Sequence, residues 1–493
     1  MRHPRTTIAV LLLAASLPAL AAPPSPTAVP ALFLSDIHLD PYHDPAKAAK
    51  LNAAPAADWP AILAQPDAPT QLADYAALQA SCPVRGIDTP NALWQSSLAA
   101  IHTNAAHARF VTISGDLLAH QFDCKFKQLL PNATHADYLT FVDKTIRTIV
   151  SGLRQALPGV PIYVGMGNND SGCTDYALDA THDEFLSLTA KIVADSLPAD
   201  LPKSDRDAAL HDFTTAGNFN VPLAAVPHTR LISLDDLFLS ARYATCAGKP
   251  DPAPAAAQLV WLETQLSAAR QNHEHVWFMS HIPPGVNLYA TARAFTNICG
   301  GAQPQMFLGS EKLEEILAAN SDVVSLALFG HTHSDEMRLL LPESATTQRT
   351  TKNGERTTDL PGVPLKVVAS ITPVNGNHPS FTLATIDPAT ATLVDYAVIM
   401  ASNLTGIATT WAPKYTYSAA YGKPAFDAAA VTSLIAGFQA DSGARSPASQ
   451  AYQRGYTPGT LSPVIQIAWP QYACSLNHDS AASFTACACA TLK

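Results

Sequence analysis

Five short apolar segments each end directly in side chains that can bind metals, and this pattern constrains the fold more than any other feature. In chain order the five stretches are LFLSDIHLD, FVTISGDLLAH, IYVGMGNND, VWFMSHIPPG and LALFGHTHSDE. Apolar, partly β-branched residues before each polar group favour strands, and helix-like segments lie between them. Strands that alternate with helices indicate an α/β fold. Because strand ends of one sheet meet at one edge, we expect these polar side chains to converge.

The predicted strands and helices alternate as far as about residue 336. Strands are expected at 31–34, 110–113, 162–164, 231–234, 276–279 and 323–329. Helices are expected over 91–105, 138–157, 183–196 and 258–270. Beyond this point, turn-forming residues separate short apolar segments at 337–341, 365–371, 381–386 and 393–400, which predicts an antiparallel, hairpin-rich sheet. From about Trp411 the chain is alanine-rich and is expected to be partly helical.

The N-terminal segment has the features of a secretory signal peptide. Arg2 and Arg5 precede an apolar run at 8–17, and small residues at 19–21 fit a cleavage site. A buried N-terminal helix is the alternative interpretation. No later segment reaches the roughly 18 apolar residues that a membrane span needs. We therefore predict a signal peptide at 1–22 and a mature protein that is secreted or periplasmic.

The cysteines also suggest an exported protein. There are eight, an even number, which favours disulfides in an oxidising compartment. They are scattered and form no Cys-x-x-Cys pair, which disfavours a zinc ribbon. Cys487 and Cys489 are too close to bond each other comfortably, and at least one of them is expected to bond Cys474. The sequence leaves the remaining pairing open.

The charge distribution disfavours two classes of function. The formal net charge is −10 and no basic run occurs, so binding to a nucleic-acid backbone is not expected. A lipid-surface module would need an amphipathic segment rich in basic or aromatic residues, and no convincing one occurs. A negatively charged protein can still bind an anionic substrate, because metal ions supply local positive charge.

The spacing within the polar motifs indicates a metal centre. Asp36 and His38 lie two positions apart, as do His331 and His333, and in an extended backbone such residues point the same way. Imidazole nitrogens together with carboxylate and amide oxygens suit zinc, manganese or iron rather than calcium. One motif alone could be a surface turn or a buried structural histidine. Five such motifs, each at the end of a strand, favour a shared metal site.

The combination of DIH, GD, GNND, H and GHTH resembles the calcineurin-like metallophosphoesterases. The stretches GDLLAH, SHIPPG, GHTHSDE and ITPVNGNHPSF are similar to the acid sphingomyelinase-like phosphodiesterase branch, over roughly residues 30–400, and the cysteine-bearing tail is similar as well. The resemblance implies a two-sheet β-sandwich flanked by helices, with a helical cysteine-bearing C-terminal region. We expect a catalytic domain at 23–405, with a surface insertion at 41–90, and an accessory region at 406–493.

The resemblance also implies two divalent metal ions, zinc in this branch, and a set of ligands. The ligands would be Asp36, His38 and His333 for the first ion, Asn168, His281 and His331 for the second, and Asp116 as a bridge. Such a pair of ions would generate a hydroxide that attacks phosphorus in line with the leaving group. The implied substrate is a small phosphorylated molecule such as a nucleotide, polyphosphate or phospholipid head group.

His120 and Asn169 are the candidate catalytic residues beside the metals. Related enzymes typically have a histidine directly after the ligand asparagine, where this chain has Asn169. An amide can donate a hydrogen bond but cannot deliver a proton at neutral pH. His120 matches a histidine of the sphingomyelinase-like branch and is expected to act as general acid or phosphate contact, or else to support a ligand. Asp335 is expected to orient a ligand histidine or to cap a turn.

The GNND sequence also resembles that of fungal endopolyphosphatases, which cleave anhydrides. Phosphate is a good leaving group, so an anhydride needs a proton donor less than an alkoxide does. We therefore predict a secreted, dinuclear metal-dependent hydrolase of phosphodiester or phosphoanhydride bonds. The alternatives are a sphingomyelin phosphodiesterase or a phosphomonoesterase of the same branch, and a metal-binding protein without catalysis.

Overall fold

The computed structural model describes residues 28–180, 183–292, 295–342 and 362–491. The predicted signal peptide at 1–22 lies outside these ranges. Across the described ranges, no helix combines the length and the apolar character that crossing a membrane requires.

Strands form the centre of the described fold. In chain order they are β1 (Val29–Leu34), β2 (Val111–Ser114), β3 (Ile162–Gly165), β4 (Phe219–Pro222), β5 (Thr229–Ser233), β6 (His275–Met279), β7 (Val324–Phe329), β8 (Glu336–Leu340), β9 (Val363–Val367), β10 (Ser380–Asp387), β11 (Thr392–Ala401) and β12 (Trp411–Thr416). Within the described residues they build two six-stranded sheets, ordered β12-β11-β10-β1-β2-β3 and β4-β5-β6-β7-β9-β8. The two-sheet architecture implied by the resemblance is confirmed.

Each sheet combines a parallel part with antiparallel neighbours. β1, β2 and β3 pair in parallel, as do β5, β6, β7 and β9. β10 and β11 form the predicted antiparallel hairpin, and β8 pairs antiparallel with β9. The prediction that the segments beyond residue 336 form one antiparallel sheet is wrong, because β8 and β9 join the second sheet whereas β10 and β11 join the first. β9 also pairs in parallel with β7, since it enters the sheet between β7 and β8. Apolar spacing along the chain does not reveal which strand becomes the neighbour.

Helices cover the sheets and build the C-terminal region. They are α1 (Ala48–Ala53), α2 (Trp59–Leu63), α3 (Gln71–Ser81), α4 (Asn91–Asn104), α5 (Phe122–Leu129), α6 (His135–Ala156), α7 (Glu184–Ser196), α8 (Lys203–Ala216), α9 (Ala253–Gln271), α10 (Leu288–Thr291), α11 (Phe295–Ile298), α12 (Lys312–Ala319), α13 (Tyr417–Tyr421), α14 (Ala428–Ala440), α15 (Pro447–Tyr456), α16 (Pro463–Ile467), α17 (Trp469–Cys474) and α18 (Ala481–Ala490). The four helices predicted from sequence correspond to α4, α6, α7 and α9 and are confirmed.

The segment 41–90 contributes to the core as well as to the surface. It contains α1, α2 and α3, and its Tyr42 and Trp59 side chains are fully buried. Both rings pack against Phe141 of α6, with centroids 5.2 and 4.8 Å away. Burying aromatic side chains of this size stabilises the folded chain by roughly 2–3 kcal/mol each.

The two sheets contact each other through large aromatic side chains. Trp277 of β6 packs edge-on against Phe33 of β1 and Phe110, which precedes β2, with centroids 5.8 and 5.9 Å away. Its indole nitrogen donates a hydrogen bond to the Ala391 carbonyl at 2.8 Å, so the buried polar atom is satisfied. This packing aligns the carboxyl ends of β1, β2 and β3 with those of β6 and β7.

The C-terminal region is joined to the rest of the fold by a strand and by disulfides. Strand β12, which was not predicted, pairs with β11 at the edge of the first sheet. All eight cysteines form disulfides, which are Cys82–Cys124, Cys173–Cys246, Cys299–Cys489 and Cys474–Cys487. The expected bond from the tail to Cys474 is confirmed. The other tail cysteine, Cys489, bonds Cys299 instead.

Candidate metal centre

The predicted metal ligands lie together in one buried cluster at the carboxyl ends of strands from both sheets. They are Asp36 and His38 after β1, Asp116 after β2, Asn168 after β3, His281 after β6, and His331 and His333 after β7. The expectation that one sheet supplies them is wrong. Three of the seven ligands, His281, His331 and His333, follow strands of the second sheet, which packs against the first.

The ligand atoms form two overlapping groups. Atoms within each group lie no more than 4.8 Å apart, and the groups are Asp36, His38, Asp116 and His333, and Asp116, His281 and His331. Asp116 belongs to both, with its Oδ2 atom 3.1 Å from His281 Nε2 and 3.3 Å from His38 Nε2. Asn168 Oδ1 adjoins the second group, 2.8 Å from His331 Nδ1. The grouping corresponds to the two ion positions that the resemblance implies.

The chemistry of these atoms fits metal ions. The Nδ1 atoms of His38 and His281 each lie 2.7 Å from a backbone carbonyl oxygen, which can only accept a hydrogen bond, so each Nδ1 carries the proton and donates it to this bond. Their Nε2 atoms are buried and have no hydrogen-bond partner in the described part of the chain. In the neutral ring with its proton on Nδ1, each Nε2 presents a lone pair toward the shared Asp116 carboxylate, which is an arrangement suited to a cation between them. Imidazole and carboxylate ligands of this kind suit a transition-metal ion.

Charges within the cluster shift the ionisation of its members. Burial alone would raise the pKa of Asp116, but the adjacent His281 and His38 hold it well below its usual value. Burial and the neighbouring His281 lower the pKa of His331 to about 3. Asp116 is thus ionised and His331 neutral, which are the metal-binding forms of these two groups. Burial alone would lower the pKa of His281, but the Asp116 carboxylate raises it to about 10, so the negative charge of Asp116 attracts a cation to this position.

Several ligands have a strained backbone. Left-handed φ angles occur at Asp36 (48°), His38 (45°), Asp116 (55°), His331 (70°) and His333 (58°). The prediction that the Asp-x-His and His-x-His pairs are extended is therefore wrong, since both lie in tight turns. Each such residue costs about 1–3 kcal/mol, and strain of this size concentrates at functional sites. Contacts between the turns hold it in place: His331 N donates to both Asp36 carboxylate oxygens at 3.1 Å.

The Gly-Asn-Asn-Asp turn after β3 braces the shared ligand. Asp170 accepts hydrogen bonds from the backbone of Leu117, Leu118 and Gly167 at 2.9–3.0 Å, and so joins this turn to the one that carries Asp116. Burial and the charge of Asp116 raise the pKa of Asp170 to about 7. Gly167 is required by close approach, because a Cβ atom there would lie 2.3 Å from Asp116 Oδ1.

Asn169, a predicted catalytic residue, contacts the shared carboxylate. Its backbone nitrogen and its side-chain Nδ2 each donate to Asp116, both at 2.8 Å. The side chain is buried but lines the cavity that opens on the cluster. The residue is therefore close enough to orient Asp116 and to meet a bound phosphoryl group.

His120, the other candidate, stacks on a metal ligand. Its ring is nearly parallel to that of His38, with centroids 4.2 Å apart, and its side chain is 28% exposed. Its Nδ1 lies 2.8 Å from Asp88 Oδ1, and its backbone nitrogen donates to Asp88 Oδ2 at 2.9 Å. The buried Lys125 ammonium pairs with Asp88 at 3.5 Å and with Asp40 at 2.8 Å.

Sequence reasoning missed residues that orient the ligands from behind. Asp175 accepts a hydrogen bond from Asn168 Nδ2 at 2.7 Å, which directs the amide oxygen toward the cluster. The Tyr176 hydroxyl lies 3.3 Å from His331 Nε2, and Asn375 Nδ2 lies 3.2 Å from His333 Nδ1. No short motif marks these residues, because Asp175 and Tyr176 lie beyond the Gly-Asn-Asn-Asp turn and Asn375 lies 42 positions from His333.

Asp335 does not have the role that was expected. Its carboxylate accepts from the buried Lys366 ammonium and from the Tyr415 hydroxyl of β12, and the described hydrogen bonds include none to a histidine. Its backbone nitrogen donates to the Tyr456 carbonyl at 2.7 Å. Asp335 therefore joins the His-Thr-His turn to the C-terminal region.

A cavity of about 760 Å³ opens on the cluster. His120, Asn168, Asn169, His331 and His333 line its metal side. The opposite walls come from residues 287–290, 375–377 and 457–463, the last of these in the C-terminal region. The cavity is large enough for a nucleotide-sized ligand.

Comparisons with known proteins agree with this geometry. Residues 29–335, which include every predicted ligand, match the family described as calcineurin-like phosphoesterase. The chain is 26% identical over 346 residues to the cyclic GMP-AMP phosphodiesterase SMPDL3A of Rattus norvegicus, covering 68% of this chain and 67% of that one. It is 24% identical over 401 residues to the human acid sphingomyelinase-like phosphodiesterase 3b, covering 79% and 77%.

A solved dimetal phosphatase from Danio rerio aligns with 78% of this chain and 99% of its own, at 11% identity and a TM-score of 0.41. The match to the family extends over more than half of the chain and contains the whole metal cluster. This protein therefore belongs to the calcineurin-like phosphoesterase family and is a hydrolase of phosphoester bonds.

Proposed function

We propose that this protein is an exported phosphodiesterase that hydrolyses small phosphorylated substrates. It would use two divalent metal ions, and zinc is the proposed metal. The observation that carries the proposal is the pair of ligand groups that share Asp116 at the base of an open cavity. The names of its relatives, a cyclic dinucleotide phosphodiesterase and a sphingomyelinase-like phosphodiesterase, support diester cleavage.

The proposed ligands are those predicted from sequence. Asp36, His38 and His333 would hold one ion, Asn168, His281 and His331 the other, and Asp116 both. When bound, the two ions supply the activation of the attacking water and neutralise negative charge on the phosphoryl oxygens.

The remaining chemistry belongs to side chains of the cavity. Asn169 Nδ2 has a second proton with which to bind a phosphoryl oxygen, while it keeps Asp116 in place. The Nδ1 atom of His120 is hydrogen-bonded to Asp88. The other ring nitrogen, Nε2, is therefore the atom that would give a proton to the leaving oxygen. The buried Asp88 fixes the ring in this orientation through its contacts with the His120 ring and backbone nitrogen.

We propose the same domain limits as the sequence suggested, with a signal peptide at 1–22, a catalytic domain at 23–405 and an accessory region at 406–493. The disulfides support an oxidising compartment, since all eight cysteines are paired. Residues 457–463 line the cavity, so we expect the accessory region to take part in substrate binding.

The test is a substrate panel with metal content measured on the same protein sample. The panel contains p-nitrophenyl phosphate, bis-p-nitrophenyl phosphate, ATP, polyphosphate and sphingomyelin. We expect hydrolysis of the diester and the anhydrides, loss of activity with a chelator, and recovery with zinc. A protein that carries about two metal ions but hydrolyses none of these would be a metal-binding protein without catalysis. Faster turnover of sphingomyelin than of the diester and anhydrides would contradict the expected preference.

A further inference from the structure

An arginine side chain covers one of the aromatic rings of the cavity. Apart from histidines, the aromatic residues that line it are Tyr176, Tyr289 and Phe307. The Arg242 guanidinium carbon lies 3.9 Å from the Tyr176 ring centroid, and that of Arg338 lies 5.9 Å from the Phe307 centroid. Proteins recognise quaternary ammonium groups such as choline with open aromatic faces. Tyr176 therefore already carries a cation of the protein on the cavity side, whereas Arg338 is buried and does not line the cavity.

The position of Arg242 is fixed by the fold. Residues 176–178 and 244 form a short parallel bridge, in which Ala244 N donates to the Tyr176 carbonyl at 3.1 Å and Leu178 N to the Ala244 carbonyl at 3.2 Å. The disulfide Cys173–Cys246 closes the same pair of loops. Because the Tyr176 hydroxyl lies 3.3 Å from His331 Nε2, the guanidinium is held one tyrosine ring away from a metal ligand.

The charge of Arg242 is available to a ligand. Its side chain is 67% exposed, whereas Tyr176 is buried, so a ligand in the cavity meets the guanidinium rather than the ring. Asp175, its ion-pair partner, is 3.9 Å away and accepts a hydrogen bond from Asn168 with its other oxygen. Arg85, also exposed, lines the same cavity. Arginine stays charged at every physiological pH and its planar fork suits phosphate.

We infer that Arg242, together with Arg85, forms an anion subsite for a second, non-scissile phosphate of the substrate. The inference rests on the proposed function, because the scissile phosphate must lie at the metal cluster. It assigns the enzyme to substrates with at least two phosphates, namely phosphoanhydrides and dinucleotide-like diesters. The same two cations disfavour a choline phosphodiester, whose quaternary ammonium they would repel.

The experiment compares Arg242→Gln with wild type on ATP and on bis-p-nitrophenyl phosphate, which has one phosphate only. Loss of a charge-assisted hydrogen bond is expected to raise KM for ATP about ten- to a hundredfold with little change in kcat. KM for the diester is expected to change by at most about threefold. Arg242→Lys should recover part of the loss on ATP. Arg270→Gln is the matched control, since Arg270 is an exposed arginine on α9 that pairs with Asp322.

Equal effects of Arg242→Gln on the two substrates, or no effect on either, would overturn the inference. So would a wild-type enzyme that prefers p-nitrophenyl phosphorylcholine to ATP. If Arg242→Gln loses metal, the same comparison of KM for ATP and for the diester is made with Arg85→Gln. Arg85 belongs to a different loop from Arg242, so its substitution tests the subsite independently. A wild-type protein that hydrolyses no phosphoester refutes the proposed function instead, and that outcome is visible before any variant is made.

Discussion

Replacing His120 by asparagine separates proton donation from metal binding. The asparagine amide can keep the hydrogen bond to Asp88 that His120 makes through Nδ1, but it removes the ring nitrogen left for the cavity. The substitution also removes the ring that stacks on His38 at 4.2 Å, but it leaves all seven predicted metal ligands unchanged. We therefore expect His120→Asn to retain its metal content and its fold.

The size of the effect follows from the leaving group. A positioned general acid contributes about 10²–10⁴-fold to rate, so turnover of a diester with an alkyl leaving group should fall by that factor. The p-nitrophenolate ion leaves without a proton, so p-nitrophenyl esters should lose less than about tenfold. The assay measures kcat/KM for nucleoside phosphodiesters whose leaving alcohols span a range of pKa. A steeper dependence on leaving-group pKa in His120→Asn is expected, and equal slowing of all esters would show that His120 is structural.

Three further changes test the surroundings of the site and the tail. Asp88→Asn leaves the buried Lys125 with one carboxylate, so urea unfolding should show a loss of about 3 kcal/mol, and an unchanged stability would contradict the network. Gly167→Ala places a Cβ atom 2.3 Å from Asp116 Oδ1, so metal content should fall while the far-ultraviolet spectrum stays native; full metal occupancy would refute the argument. Burial, with Glu311 nearby and against the opposing Arg338, raises the pKa of Asp479 from 3.8 to about 7. The folded chain then keeps a proton that the unfolded chain releases, so stability should decline between pH 4 and 7, by at most about 4 kcal/mol. Asp170 and Asp236, whose pKa values are also raised to about 7, contribute to the same decline. Asp479→Asn should therefore make the decline shallower by the Asp479 share, and an identical pH profile in the variant would contradict the assignment.

Much of the fold could be predicted because local apolar patterns decide strands and helices. The segments ending at Leu34, Val164 and Phe329 are short, apolar and followed by turns, and each forms a strand close to the predicted limits. The resemblance implied two sheets, but the order of the strands within each sheet could not be predicted, since pairing depends on contacts between residues far apart in sequence. The insertion of β9 beside β7 and the addition of β12 to the first sheet are examples.

The candidate site divides in the same way. The resemblance supplied the ligand set because short motifs carry it, and the structure brings those side chains together. The left-handed backbone of His38 and His333 was missed because a spacing of two residues fits a tight turn as well as a strand. Asp88 and Asp175 were missed because each acts across a loop on a residue outside its own motif. Arg242 carries no sequence signal at all beyond its charge.

The central claim is that Asp116 joins two metal ions in one catalytic centre. Its most direct test measures bound metal per chain and diester hydrolysis on the same samples of wild type and Asp116→Ala. The account predicts about two ions per wild-type chain, and in the variant less than one ion, no measurable turnover and intact disulfides. An Asp116→Ala protein that keeps two ions, or that still hydrolyses the diester, would contradict it.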